Sequence, residues 1–173
     1  VGVSVDAGIL NGATNLYEGC NAAYFAFSRP DTLEDLTVNF IWSGTAINGS
    51  DYFQAQDSIV LNEGAYTDTI FILPIVDNVT EPTETVELLI LIETCNGNFD
   101  TISASLTIDD YTPISLSLPD SLNVCNELVN LNPNYSGGLP PLVFSWSSGQ
   151  QTDSISFMPD ITQTYTLSIN DEC

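Results

Sequence analysis

An acidic turn between two apolar segments carries the residues with the clearest capacity for chemistry. Asp77, Glu81 and Glu84 lie between the apolar segments 70–76 and 86–92. Two carboxylates about 5 Å apart repel each other by roughly 3 kcal/mol at an effective dielectric constant of about 20. A hard cation such as Ca²⁺, which takes about six to eight oxygen ligands, would turn that repulsion into binding. The pattern predicts either a calcium site or a solvated acidic turn with Pro82 in it.

The charge balance excludes several classes of function. The chain has 173 residues, with 23 acidic residues, one basic residue (Arg29), no lysine and no histidine, so its formal net charge is −22. Such a charge excludes the basic footprint of a nucleic-acid-binding protein and disfavours adhesion to an anionic membrane. The lack of histidine removes most nucleophilic and general-base catalysis. We therefore predict that the chain is not an enzyme, although glycoside hydrolysis by two carboxylates remains formally open.

The cysteines and the apolar segments indicate an exported chain. Four cysteines are widely spaced and form no CxxC motif, and their even number favours two disulfides in an extracellular protein: Cys20, Cys95, Cys125 and Cys173. Four cysteines allow three connectivities, and spacing does not choose among them. No apolar run approaches the roughly 20 residues of a membrane span, so we expect no direct membrane insertion.

Strand patterns dominate both halves of the chain. Residues 36–42 alternate and predict one half-buried strand, whereas the nearly continuous apolar run 86–92 predicts a central strand covered on both faces. About seven short strands precede residue 111, and a second set follows Pro113. We predict an all-β fold of two immunoglobulin-like β-sandwiches in tandem, residues 1–111 and 112–173. Trp146 is expected to fill the second core.

Three segments of the first half resemble the Calx-β family of calcium-binding domains. They are Gly-Thr-Ala-Ile-Asn-Gly-Ser-Asp-Tyr at 44–52, the Asp-x-x-x-Glu-x-x-Glu turn at 77–84, and Ile-Asp-Asp at 108–110. The resemblance implies Ca²⁺ ligands at Glu18, Asp51, Asp77, Glu81, Glu84, Asp109 and Asp110. Asn78 and Tyr111 replace acidic residues common in the family, which favours one ion, or one tight and one weak site. The alternative is a Calx-β fold that has lost its metal.

The second half resembles a PKD-type or immunoglobulin-like repeat. The similarity lies in the Gly-Gly-Leu-Pro-Pro-Leu-Val-Phe-Ser-Trp segment at 137–146 and the Thr-Tyr-Thr-Leu-Ser-Ile-Asn-Asp segment at 164–171. The order of the two units is similar to that in large gliding-motility adhesins exported by the type IX secretion system. This resemblance implies an extracellular location on a bacterial cell surface. The implied partners are neighbouring repeats of the same polypeptide and a surface polysaccharide or glycan.

Two modifications follow from this arrangement. Disulfides Cys20–Cys95 and Cys125–Cys173 would each close one domain, with the other connectivities left open. Six Asp-Ser/Thr-apolar triplets resemble the O-glycosylation motif of bacteria that use this secretion route, with acceptors at Thr32, Ser58, Thr69, Thr101, Ser121 and Ser154. The same triplet also arises where an aspartate ends a turn and a strand begins.

Three functions compete. The one we predict is a calcium-braced structural and adhesive repeat segment of a large surface adhesin. The alternative is a carbohydrate-binding module that stacks sugars on exposed aromatic rings, for which the candidates are Tyr17, Trp42, Tyr52 and Trp146. A carboxylate-based glycosidase would need two acidic groups facing each other across a cleft, and the sequence predicts no such cleft.

Overall fold

The computed structural model describes residues 2–54, 56–76, 79–93, 96, 98–124 and 126–173. The predicted ligand Asp77 and the cysteines Cys95 and Cys125 lie outside these described residues. The chain divides into two compact units, Val1–Tyr111 and Thr112–Cys173.

The described residues of unit 1 form ten strands and one short 3₁₀ turn, Leu10–Gly12. The strands are β1 (Ser4–Ile9), β2 (Leu16–Tyr17), β3 (Ala23–Ser28), β4 (Leu36–Asn39), β5 (Ile41–Gly44), β6 (Tyr52–Phe53), β7 (Ser58–Leu61), β8 (Thr67–Pro74), β9 (Glu84–Glu93) and β10 (Phe99–Asp109). Two four-stranded sheets have the orders β1-β3-β8-β6 and β2-β10-β9-β5, and β4 pairs with β7.

The two four-stranded sheets enclose one core by simple alternation. In β3 and β8, Phe25, Phe27, Ile70 and Ile72 are buried, and the residues between them are more exposed. From the other sheet, β9 and β10 bury the alternating set Val86, Leu88, Ile90, Leu106 and Ile108. Period-two burial on two facing sheets is the arrangement of a β-sandwich.

The single strand predicted over residues 36–42 is wrong, because the chain changes sheets at Phe40. β4 pairs with β7, whereas β5 pairs with β9 in a different sheet. The Phe40 side chain is buried, and its backbone N–H donates to the Asp57 carbonyl at 3.0 Å. The alternation survives the crossing because both halves face the same core, which is why the sequence pattern concealed the break.

The prediction that residues 86–92 are covered on both faces is also wrong. β9 is central in its sheet, between β10 and β5. Its inward residues are buried, but Leu91 on the outer face is 49% exposed, and Ile41 of the neighbouring strand is 52% exposed. The apolar residues on both faces of β9 therefore go with its central position in the sheet, and no further layer of structure covers its outer face at Leu91.

The part of unit 2 that the structure describes forms three two-stranded sheets. The strands are β11 (Ser115–Ser117), β12 (Val129–Leu131), β13 (Asn134–Ser136), β14 (Val143–Trp146), β15 (Ile155–Phe157) and β16 (Leu167–Asn170), paired β11-β13, β12-β15 and β14-β16. Trp146 is buried with Val129 and Ile155, which confirms its predicted place in the core. The all-β prediction of tandem sandwiches is confirmed. Among the described residues, no helix is long and apolar enough to span a membrane.

Candidate metal centre

Strand register brings several acidic segments to one end of unit 1. β9 and β10 are antiparallel, with Glu84 at the start of β9 opposite Ile108 near the end of β10. β5 ends beside the same region, because Gly44 lies opposite Val86. β6 begins where β8 ends, since Tyr52 lies opposite Pro74. Residues far apart in sequence therefore meet at this end, which we call the acidic pole.

A glycine permits the close approach of β5 and β9 at this pole. Gly44 has a φ of +110°, and a Cβ atom there would lie 2.1 Å from the Thr85 carbonyl oxygen. That oxygen accepts a hydrogen bond from the Ala46 N–H at 3.0 Å, while the Thr85 N–H donates to the Thr45 hydroxyl at 2.9 Å. These contacts hold the start of β9, and hence Glu84, against the loop that leads to Asp51.

Asp51 lies in a tight turn and itself forms the hydrogen bonds that close this turn. Its backbone N–H donates to the Ile47 carbonyl at 3.0 Å, and its Oδ2 accepts from the Ile47 N–H at 2.5 Å. Its carbonyl accepts from the Ile75 N–H at 2.9 Å, which ties the turn to the segment after β8. The carboxylate is buried, with 2% of the residue exposed. Burial of an anion is costly unless a cation or several donors compensate it.

Three carboxylates converge at the acidic pole. Asp51, Glu81 and Glu84 each offer a carboxylate oxygen, and these oxygens lie within 4.8 Å of one another. Asp51 is buried and the two glutamates are half-buried. Asp110 adjoins the group, because its Oδ2 accepts a hydrogen bond from the Glu81 N–H at 2.7 Å. The donor set consists of oxygen atoms, which suits a hard cation.

The convergence of these carboxylates disfavours the ionised form of Glu84. Burial raises the pKa of Glu84 from 4.5 to about 7, assisted by a side-chain hydrogen bond with Asp51 and by the charges of Asp51, Glu81 and Asp110. Burial, and then the charge of Asp51, raises the pKa of Tyr52. Without a cation, a carboxyl in such a cluster retains its proton near neutral pH, because a further negative charge is repelled.

The remaining predicted ligands have different positions. Glu18 is buried directly after β2, and its N–H donates to the Asp109 carbonyl at 3.1 Å, so it lies at the acidic pole but outside the three-carboxylate group. The Asp109 carboxylate accepts from the Thr83 hydroxyl at 2.5 Å. Asp77 lies outside the described residues. The structure thus brings three of the seven predicted ligands together, with Asp110 beside them.

Sequence reasoning missed the residues that hold these carboxylates in place. Thr83 fixes Asp109, and the pair Thr45 and Thr85 joins the two loops through hydroxyl and amide groups. Thr83 and Thr85 flank Glu84 in the sequence. The pattern of apolar and polar residues there indicates only that a strand begins, and it does not reveal these hydrogen bonds. Their partners lie 26 and 40 residues away, so only the folded register pairs them.

The modification sites divide by their location. Ser58, Thr69 and Thr101 lie within strands β7, β8 and β10, whereas Thr32, Ser121 and Ser154 lie outside strands. Thr101 and Ser121 are exposed and the other four are half-buried. Cys20 is half-buried and Cys173 is exposed, but the predicted partner of each lies outside the described residues. Glycosylation and both disulfides stay predictions.

The aromatic candidates for sugar stacking pack largely inside the two units. Tyr52 is 1% exposed and Trp146 is 4% exposed. Trp42 makes edge-on ring contacts with Phe25 and Tyr52 at centroid distances of 5.6 and 6.0 Å, and its indole N–H donates to the Gln56 carbonyl at 2.7 Å. Tyr17 is half-buried. These rings serve the packing of the sandwiches and do not form a common platform.

Among known proteins, similarity to this chain was found in solved structures, and not in family models or curated sequences. No protein-family model and no curated protein matches the sequence. The chain is similar to the apo-form Calx CBD1 domain, with 18% identity, TM-score 0.44, and coverage of 63% of this chain and 99% of that one. It is also similar to CBD12 from CALX1.2, with 15% identity, TM-score 0.48 and coverage of 95% and 74%. The calcium binding domain CBD12 of CALX1.1 shows 15% identity, TM-score 0.49 and coverage of 94% and 73%. Likeness at this level assigns neither a family nor a function.

Proposed function

We propose that unit 1 binds Ca²⁺ at the acidic pole and is stabilised by it. Asp51, Glu81 and Glu84 would supply the carboxylate ligands, with Asp110 as the next acidic group. The observation that carries this proposal is the approach of three carboxylate oxygens to within 4.8 Å of one another. The raised pKa of Glu84 supports it, because the group is strained without a counter-charge and a divalent cation would relieve that strain.

The chemistry of the donors favours calcium over softer metals. Carboxylate oxygens suit hard cations, whereas zinc sites commonly use cysteine or histidine, and the chain has no histidine. Each carboxylate can bind through one or two oxygens, so three of them supply a large part of a calcium shell. Mg²⁺ demands a compact octahedral arrangement and dehydrates reluctantly. We therefore expect binding that prefers Ca²⁺ to Mg²⁺.

The bound ion would act as a structural brace. Asp51 belongs to the loop between β5 and β6, Glu81 to the segment after β8, and Glu84 to the start of β9. One cation held by all three would tie segments from both four-stranded sheets together at the pole. A ligand that binds only the folded state raises the free energy of unfolding with the logarithm of its concentration over its dissociation constant.

At the level of the whole protein, we propose a structural and adhesive repeat segment of a large bacterial adhesin for gliding motility and surface attachment. This places the chain outside the cell, beside neighbouring repeats of the same polypeptide and in reach of a surface polysaccharide. The net charge of −22, the even number of cysteines and the tandem all-β construction support it. Calcium bracing would suit a segment that transmits mechanical load.

Thermal unfolding with excess Ca²⁺, with excess Mg²⁺ and with a chelator tests the proposal. We expect Ca²⁺ to raise Tm by several degrees and Mg²⁺ to raise it less. Asp51→Asn should remove most of the calcium response. Asparagine is preferred to alanine because its oxygen can still accept the Ile47 N–H that shapes the turn. Asp160→Asn, an exposed position in unit 2, is the matched control and should keep the full response.

Equal melting of the parent chain in calcium and in chelator would overturn the calcium site. Isothermal titration then separates binding from stabilisation, since the parent chain should bind Ca²⁺ and Asp51→Asn should bind it at least tenfold more weakly. Calcium binding that Asp51→Asn leaves unchanged would place the ion elsewhere and would refute the ligand assignment.

A further inference from the structure

Four apolar side chains lie together on the outer face of the β1-β3-β8-β6 sheet. Tyr24 of β3 is opposite Phe71 of β8. Two residues further along β8, Leu73 is opposite Phe53 of β6. Residues directly opposite each other in an antiparallel pair project from the same face of a sheet. The residues between them along β8, such as Ile72, are buried in the core, so this set projects outward. We call Tyr24, Phe53, Phe71 and Leu73 the aromatic face.

The aromatic face is open to solvent and reaches across all four strands. Phe53 is 59% exposed, and Phe71 and Leu73 are each 53% exposed. A Cβ atom at Gly8 of β1 would lie only 2.5 Å from the Tyr24 hydroxyl oxygen, so the half-buried Tyr24 ring leans over β1. Gly8 is opposite Tyr24 in the register, and its missing side chain leaves room for the ring. Since neighbouring strands are about 4.8 Å apart, the face extends over roughly 15 Å.

Hydrogen-bonding groups border the aromatic face on two sides. Asp6, Ala26 and Thr69 form the next outward row of the same sheet, two residues away along each strand. Asp6 is exposed and Thr69 is half-buried, so a carboxylate and a hydroxyl group lie beside the rings. On the opposite side, a groove of about 380 Å³ is lined by Leu73 and by the exposed Asn11. The aromatic face is therefore an apolar row with polar groups along both borders.

This arrangement matches the surface of an uncharged sugar. A pyranose ring presents C–H groups on its faces, which pack on aromatic rings, and hydroxyl groups around its edge, which need donors or acceptors. An anionic ligand would be repelled by the Asp6 carboxylate at the border of the face. The only basic side chain of the sequence, Arg29, is buried and donates to three backbone carbonyls, so it does not serve an anionic ligand.

The size of the aromatic face favours a saccharide over a second protein. An aromatic side chain has about 150–250 Å² of surface, and roughly half of it is exposed here, so the face offers on the order of 300 Å². A stable protein complex buries about 800 Å² on each partner. The aromatic face is therefore too small to be a protein interface by itself, but it is large enough for a short run of sugar rings.

We propose that the aromatic face binds an uncharged, extended saccharide chain. Its sugar rings stack on Phe53, Phe71 and Tyr24, and its hydroxyl groups form hydrogen bonds with Asp6 and Thr69 on one border and with groups of the groove on the other. None of these residues is a proposed calcium ligand. The site rests neither on the calcium proposal nor on the adhesin proposal, although it would give an adhesive segment a direct contact with a polysaccharide.

The test uses the full 173-residue chain and two oligosaccharides of equal length, the uncharged cellohexaose and the anionic hexagalacturonate. Binding is measured by titration calorimetry, and ring-proton resonances are followed by NMR. All titrations contain chelator, so that calcium does not bridge the acidic sugar to the protein. We expect cellohexaose to bind and to shift the resonances of Tyr24, Phe53 and Phe71, and we expect hexagalacturonate to bind at least tenfold more weakly.

Substitutions at Phe71 separate ring stacking from general hydrophobic contact. Phe71→Leu keeps an apolar side chain but removes the flat ring, and we expect about tenfold weaker binding of cellohexaose. Phe71→Trp offers a larger ring and should bind at least as tightly as the parent. Phe99→Leu, at an exposed phenylalanine of β10 in the other sheet, is the matched control and should bind as the parent does. Thermal unfolding of each variant checks that it is folded.

Three results would overturn the proposal. The first is no binding of cellohexaose by the parent chain at about 1 mM, which is the weak end of specific affinity. The second is equal binding by Phe71→Leu and the parent, because stacking would then contribute nothing. The third is self-association of the parent chain that Phe71→Leu abolishes, since a second copy would then occupy the face. Binding of cellohexaose in chelator would stand even where the calcium proposal fails, so the two proposals are tested separately.

Discussion

Glu84→Gln should stabilise the calcium-free protein while weakening calcium binding. Glutamine keeps the size and hydrogen-bonding capacity of the side chain but removes its ionisation. In the calcium-free state, the ionised form of Glu84 is disfavoured first by its burial and then by the charges of Asp51, Glu81 and Asp110. Removing the ionisable group relieves both costs. In the calcium-bound state, the same change removes a ligand, so the two effects have opposite signs.

The magnitude follows from the raised pKa. The pKa of Glu84 rises from 4.5 to about 7. One pKa unit corresponds to about 1.4 kcal/mol, so full coupling would destabilise the calcium-free state by roughly 3 kcal/mol above pH 7. Because Glu84 is only half-buried and water screens its neighbours, we expect about 1 kcal/mol. In a unit of this size that raises Tm by about 4 °C.

The assay is thermal unfolding at pH 8, with chelator and with excess Ca²⁺. We expect Glu84→Gln to melt above the parent in chelator and below it in calcium. Glu87→Gln, on the same strand but outside the carboxylate group, is the control and should change neither value. A lower or equal Tm of Glu84→Gln in chelator would mean that neither burial nor the neighbouring carboxylates disfavour ionised Glu84, and would refute the reasoning.

Three further predictions concern pH, the pole and the distant loops. As the pH is lowered from 7 to 5, Glu84 takes up a proton, and the calcium affinity should fall by up to about tenfold per pH unit. Calorimetry in buffers of different ionisation enthalpy should detect the release of this proton when calcium binds. In urea unfolding, Gly44→Ala should lower the free energy of unfolding by about 2 kcal/mol or more, because its Cβ would collide with the Thr85 carbonyl. Gly49→Ala should lower it by only about 1 kcal/mol, because no atom lies within 4 Å of a Cβ at that position. Arg29→Met should cost about 3 kcal/mol in the same assay, because the guanidinium donates to three backbone carbonyls, and it should leave calcium affinity unchanged.

The raised pKa of Glu84 also makes the stability of the calcium-free protein depend on pH. The folded-state pKa of Glu84 lies above its ordinary value of 4.5, so the folded chain holds this proton more tightly than the unfolded chain. Stability from this group therefore falls as pH rises from about 4.5 to about 7, and is level above that window. Excess calcium should reverse the trend, because the cation replaces the proton.

Much of the fold was readable from local patterns. The alternation at 102–108 marked β10, since every second residue there faces a core. The break at Phe40 was not readable, because β4 and β5 both turn their apolar residues to the same core although they belong to different sheets. The exposure of Leu91 was missed for a related reason: hydrophobicity reports burial on average and does not reveal how many layers cover a strand.

The sequence by itself determined the class of chemistry: an excess of carboxylates, no histidine, and acidic residues placed where strands begin and end. Only the tertiary structure decided which of them meet. Asp51, Glu81 and Glu84 converge because β9 pairs with β5 on one side and β10 on the other, and because a turn closed by Asp51 itself directs its carboxylate inward. Convergence depends on register and loop conformation, and a slip of one residue would turn each side chain to the opposite face.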